Sequence, residues 1–357
     1  MGPTRTLRLI VIVIAAVVYA APAYAQASRT ALDVVAAADG DVGSQVSRKP
    51  TGWFDLFGAV TLADCLDLRA RPVVSRRSFD GKWQTQMYEL SLRYERRGRV
   101  GWRFEGGQFT SPIGLAVLEN RPSANPVVSQ HSTLYLPIPR YEPGTPSTYL
   151  IAAAYPVGGK VTASGAHWDA RAAVIDSSPI RGRALFGANR PPRMANYVIG
   201  AGVTPYIGVR VGVAYARGPY ATVDEVRDKS RGDRLASLTQ VEGEWSFRHT
   251  RVAGEFLWTK RELARTDATV NGGWIELTQT VSPRVFLASR FDHQYTEWLR
   301  PDGTEQDEIY SRLETAVGVR LTRAVTARAS YMTRKGYVVS FWDDQFLASV
   351  VYAHKFR

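Results

Sequence analysis

Segments of about ten residues in which apolar and polar side chains alternate recur along most of this chain, and that period constrains its fold more than any other feature. Successive side chains of a strand point to opposite faces. Leu235, Val241, Trp245 and Phe247 share one parity, and Gln240, Glu242, Glu244, Ser246 and Arg248 share the other. After a polar turn, Val252, Gly254, Phe256 and Trp258 alternate with Arg251, Ala253, Glu255 and Thr259. The stretch from Leu235 to Lys260 is therefore a hairpin with one apolar and one charged face. Similar alternation marks 53–61, 83–94, 100–109, 148–155, 161–172, 197–203, 207–215, 270–281, 285–291, 309–321, 325–331 and 346–356. The pattern predicts about 14 strands, an even number, with roughly 12 to 16 left open.

The connections fall into two classes. Short turns are expected near 97, 158, 205, 249, 283 and 323, and longer polar loops lie between them. One such loop is read at 69–81 and another at 177–193. The longest, 111–147, carries Pro112, Pro122, Pro126, Pro137, Pro139, Pro143 and Pro146, and proline removes ladder donors. Alternating short and long connections predict an all-β, transmembrane, antiparallel up-and-down β-barrel with both termini on the periplasmic side. Trp83, Trp102, Tyr149, Trp245, Trp258, Trp274 and Tyr352 fall near segment ends, as an aromatic girdle requires. Arg or Lys facing lipid at the midplane costs about 2 to 4 kcal/mol, so the charged parity must face a wet interior. A soluble sandwich or propeller fits less well, because blade-like repeats are absent.

The N-terminus points to export. Arg5 and Arg8 precede the apolar run Leu9–Ala21, and Ala23-Tyr24-Ala25 supplies small residues for cleavage before Gln26. That run is shorter than the ~20 residues of a membrane-spanning helix. The expected organisation is a cleaved signal peptide over 1–25, a flexible periplasmic lead-in over 26–50, and the barrel over 51–357, in the outer membrane of a Gram-negative bacterium. The formal charge of +12 favours anionic partners, either solutes or lipopolysaccharide phosphates, and no basic arm indicates nucleic acid. Cys65 is the only cysteine, which excludes an intrachain disulfide framework.

Two stretches resemble known families. The end, Val350-Val351-Tyr352-Ala353-His354-Lys355-Phe356-Arg357, resembles the closing strand of Gram-negative outer-membrane barrels, whose final aromatic is read by the barrel assembly machinery. It departs by one residue, since Arg357 follows Phe356. The run Gly106-Gly107-Gln108-Phe109-Thr110-Ser111-Pro112-Ile113-Gly114-Leu115 resembles phosphate-selective-type porins at the point where a strand ends and a loop begins. That resemblance implies an outer-membrane channel narrowed by an inward-folded loop. Lysine is sparse here, so it does not imply phosphate selectivity.

Signs of catalysis are missing. His131, His167, His249, His293 and His354 form no spaced metal-binding or catalytic pair, and no phosphate loop or nucleophile elbow occurs. No cofactor, metal or catalytic residue is expected. The charged parity instead nominates Arg93, Arg103, Glu105, Glu242, Glu244, Arg248, Arg251, Glu255, Arg312, Glu314 and Arg328 as pore-lining residues. The proline-rich loop nominates Glu119, Arg121 and Arg140, with His131 beside them, as a constriction. The expected function is passive, porin-like diffusion of small polar solutes with a mild anion bias. The alternatives are a structural or adhesive barrel with a plugged lumen and, more remotely, an outer-membrane hydrolase. Expected partners are outer-membrane lipid and lipopolysaccharide, the assembly machinery and the solutes, with a homo-oligomer left open.

Overall fold

Alternation becomes pairing in the computed structural model, which describes residues 30–42, 50–76, 81–138, 145–152, 154–182, 192–264, 266–299, 304–336 and 339–356. The strands are β1 (Thr30–Val42), β2 (Thr51–Ala63), β3 (Leu66–Arg76), β4 (Trp83–Arg96), β5 (Gly101–Gln108), β6 (Val157–Ser164), β7 (Trp168–Ile175) and β8 (Asn196–Tyr206). They continue as β9 (Val209–Ala221), β10 (Arg234–Phe247), β11 (Thr250–Glu262), β12 (Asp267–Thr280), β13 (Val285–Leu299), β14 (Glu305–Arg320), β15 (Val325–Gly336) and β16 (Val339–Phe356). Each strand pairs with the next, and β1 pairs with β16 from Leu32↔Phe356 to Val42↔Phe346. The sheet is a closed antiparallel barrel without an open edge.

Its faces are inverted relative to a protein that folds in water. Ile275 and Val350 on the outside are 56% and 52% exposed, whereas Arg290, Asp292 and Glu314 on the inside are wholly buried. Such an outer belt calls for hydrocarbon as its solvent, and closed strands satisfy every backbone group there. No described helix is long and apolar enough to cross a membrane. In the β10–β11 hairpin, Val241 faces Phe256 and Glu242 faces Glu255. The two like charges are bridged by Gln240, whose amide donates to Glu242 at 2.9 Å and to Glu255 at 2.7 Å.

The barrel has 16 strands rather than about 14. Residues 30–42, expected to be part of a flexible lead-in, form β1 and close the barrel. Their run of alanines hides an alternation that becomes visible only once β2 and β16 flank it. The stretch 69–81, read as a proline-containing loop, contributes most of β3. Its ladder shifts register between Arg71 and Pro72, and such an irregularity accommodates a residue without an N–H. Residues 148–155 are not a strand, and the turn expected near 158 lies between β6 and β7, around 165–167. The signal-peptide segment 1–25 lies outside the described residues.

The bare end of β5 prepares the exit of the chain into the lumen. Gly106 and Gly107 pair with Gly159 and Gly158 of β6. Gly107 has φ +118°, and a Cβ there would lie 2.5 Å from the Leu90 carbonyl oxygen. Gly107→Ala is expected to destabilise the barrel by about 1 to 3 kcal/mol, through a strained backbone and a close approach. Urea unfolding of the refolded protein measures it, and an unchanged midpoint would refute it.

Candidate functional site

The connection between β5 and β6 folds inward. Phe109 and Ser111 donate backbone N–H groups to Pro156 and Ala154 at 3.1 and 3.0 Å, so its two ends run together. Two single-turn helices follow, α1 (Leu115–Leu118) and α2 (Ser132–Tyr135). Ile113, Leu115, Val117, Leu134, Leu150 and Ile151 pack against Ala214, Ala216, Ala236, Ala253 and Leu257 of the inner wall. Small wall residues make the room, and the apolar loop fills it. The barrel thus has a hydrophobic core inside its lumen, on the parity otherwise given to charge.

Polar groups pin this core along β10 to β15. Glu255 accepts the Leu115 N–H at 2.5 Å and the Trp274 indole N–H at 2.9 Å. Asp292 accepts the Ser132 N–H at 3.0 Å and the Ser132 hydroxyl at 2.9 Å. Glu314 accepts the Val128 and Ser129 N–H groups at 3.0 and 3.1 Å. Arg312 donates to the Gln130 carbonyl at 2.7 Å, and Arg328 to the carbonyls of Pro122 (3.2 Å), Val127 (2.8 Å) and Asn125. Arg121 reaches Asp33 of β1 at 3.5 Å and Asp55 of β2 at 3.2 Å. Buried donors and acceptors need partners, and here wall and loop supply them to each other.

The nominated residues therefore divide. Glu255, Arg312, Glu314 and Arg328 point inward but are buried against the loop. Arg93, Arg103, Glu105, Glu242, Glu244 and Arg251 occupy the inner face within ion pairs. Arg103 lies 3.2 Å from Glu95, which Arg93 also contacts, and Glu105 is 2.8 Å from Lys160. Arg210 contacts Glu242, and Arg251 lies 3.3 Å from Glu244 and also contacts Glu119. Arg248 is corrected. It sits in the β10–β11 turn with φ 53°, exposed and 5.1 Å over the Phe247 ring, because strand parity does not extend into a turn. Arg140 lies outside the described residues.

Sequence reasoning missed Arg71, Lys160, Asp169, Arg171 and Arg210. Arg71 chelates Asp55, with its closest contact 2.7 Å, from a strand read as a loop. Lys160, Asp169 and Arg171 stand on β6 and β7, where the turn was misplaced. Asp55 was legible, since it alternates with Phe54 and Leu56.

A cavity of about 920 Å³ remains between the start of the loop and β4 to β7, β9 and β10. Arg96, Arg97, Arg99, Arg103, Lys160, Arg171 and Arg210 line it against Glu95, Asp169, Glu242 and Glu244, so positive charge prevails. A second opening of about 300 Å³ beside residues 122–126 is lined by Arg251, Arg320, Arg323 and Arg328, with no acid among its described lining residues. Within the loop, burial and the nearby Arg290 charge bring the His131 pKa down to about 4, leaving a neutral imidazole at pH 7.

The fold has known counterparts. Pseudomonas putida OprB superposes with a TM-score of 0.60 at 11% identity, covering 92% of this chain and 94% of that one. An anion-selective porin from Comamonas acidovorans gives 0.59 at 10% identity, covering 92% and 100%. The trimer form of OmpT, an outer membrane protein of Vibrio cholerae, gives 0.55 at 10% identity, covering 92% and 99%. No family model matches the sequence, and no curated protein matches it. The chain has the fold of outer-membrane porins.

Proposed function

We propose that this chain is a passive outer-membrane channel for small polar solutes, biased toward anions. The observation that carries the reading is the large cavity beside the inward loop, where basic side chains outnumber acidic ones. Charge of one sign in a low-dielectric cleft concentrates ions of the other sign. The charged inner wall and the inward loop act together as the constriction, with Arg103, Lys160, Arg171 and Arg210 on the open side. Residues 1–25 serve as the export leader, the outer membrane of a Gram-negative bacterium is the destination, and a homo-oligomer is the working form. The fold shared with an anion-selective porin and with a trimeric outer-membrane protein supports these assignments. Arg121, which carries the loop across to Asp33 and Asp55, favours a second reading in which the loop closes the lumen of a structural barrel.

Planar-bilayer recordings of the refolded protein separate the two. Stepwise conductance is expected, with a reversal potential in a KCl gradient that reports chloride preference. Silence at every voltage would sink the channel, and a potential of the opposite sign would remove the anion bias.

A further inference from the structure

Where the inward loop meets β12, three buried side chains converge away from the open cavity. Glu119 follows α1, His131 precedes α2, and Glu276 projects from β12. One donor atom of each lies within 4.8 Å of the others, and His131 Nε2 is 3.3 Å from Glu119 Oε2. His131 is wholly buried, with its ring 4.3 Å from that of Trp274. Neither of its nitrogens, and neither carboxylate oxygen of Glu276, has a hydrogen bond among the described residues. Buried polar atoms left in this way are rare and call for an explanation such as an ion.

The charges around them point the same way. Glu276 faces Arg251 at 3.5 Å and Arg290 at 3.7 Å, but both guanidiniums are shared. Arg251 also serves Glu119 and Glu244, Arg290 also serves Asp292 and Glu314, and Arg312 closes on Asp292. In these ion pairs five carboxylates share three guanidiniums, so Glu276 has no guanidinium to itself.

We propose that Glu119, His131 and Glu276 form a binding site for a divalent transition-metal ion of the zinc class, which staples the inward loop to β12. An imidazole ligand suits zinc and its neighbours over magnesium or calcium, and the absence of thiolate disfavours copper(I). Tetrahedral ligation at 2.0–2.2 Å places donors about 3.4 Å apart. Donors within 4.8 Å of one another therefore need only a closing movement of the flexible Glu276 side chain. The site does not depend on whether the lumen conducts.

The test uses the full chain without a histidine tag, refolded and stripped with a chelator, then titrated with Co²⁺. One equivalent is expected to bind, to develop the visible absorption of a nitrogen-ligated, low-coordinate Co²⁺, and to be displaced by Zn²⁺. His131→Ala and the nearly isosteric Glu276→Gln are each expected to weaken binding by at least about tenfold. Zn²⁺ is expected to raise the melting temperature of the parent protein and of neither variant. Circular dichroism shows whether each variant has folded, and Glu276→Gln keeps the test open if His131→Ala has not. Absence of a one-equivalent Co²⁺ complex in the parent, or full retention of binding in a folded variant, would overturn the site.

Discussion

Replacing Arg290 with alanine is expected to lower the unfolding free energy by about 3 to 5 kcal/mol, the cost of leaving buried charge uncompensated. Arg290 is wholly buried and lies 3.7, 3.4 and 3.7 Å from Glu276, Asp292 and Glu314. It also donates to the Ser129 carbonyl at 2.5 Å and to the Asn125 side chain at 3.1 Å. Its removal strips three carboxylates of a shared partner and leaves Asp292, through Ser132, to hold the loop to β13. Arg290→Lys is expected to rescue little, because an ammonium lacks the planar fork that serves several acceptors at once. Adding Glu314→Gln to Arg290→Ala should recover part of the loss, since it removes one orphaned charge. Urea unfolding followed by tryptophan fluorescence reads all three variants. A loss below about 1 kcal/mol for Arg290→Ala would mean that water already screens this network.

The second large effect is expected on the opposite face. Leu313 lies near the middle of β14, pairs with Phe291 and Thr333, and points outward between the inward Arg312 and Glu314. Leu313→Arg is expected to cost about 2 to 4 kcal/mol in a lipid bilayer, because it places a charge near the midplane. The native charges one residue to either side cost far less, being paired inside. Leu313→Ala separates lost packing from the charge penalty. Folding into vesicles across a urea series provides the comparison, and equal losses for the two substitutions would show that this face does not meet hydrocarbon.

How far the sequence could be read depended on whether a residue's surroundings were local. Strands with strict alternation, such as β10, β11 and β13 to β16, were legible because lipid on one side and water on the other impose the period. β1 was not, because Ala36, Ala37 and Ala38 give almost no contrast between faces. β3 was not, because Pro72 reads as a breaker until the irregularity at Arg71/Pro72 is seen. The segment 148–155 reads as a strand in sequence because an apolar run is the same signal whether lipid or an internal core buries it. The charged inner row was legible by parity, but its partners were not. Glu119 meets Arg251, and Ser129 meets Glu314, across more than a hundred residues of intervening chain. For the same reason the alanines that make room for the loop carried no visible meaning.

The seam between β1 and β16 also constrains the order of assembly. The inward loop follows β5, yet it is held by Glu255, Asp292, Glu314 and Arg328, which belong to strands formed from later parts of the chain. The seam joins Leu32 to Phe356, nearly the whole length of the polypeptide apart. A nascent sheet that curls around the loop and gathers its anchors before the first and last strands meet needs no later entry of the loop. A sheet that sealed first would leave the loop to enter through the mouth and displace water from an already closed interior. On that route the β1–β16 zipper of hydrogen bonds encloses the loop last, and a chain truncated before β16 is expected to hold an anchored loop in an open trough.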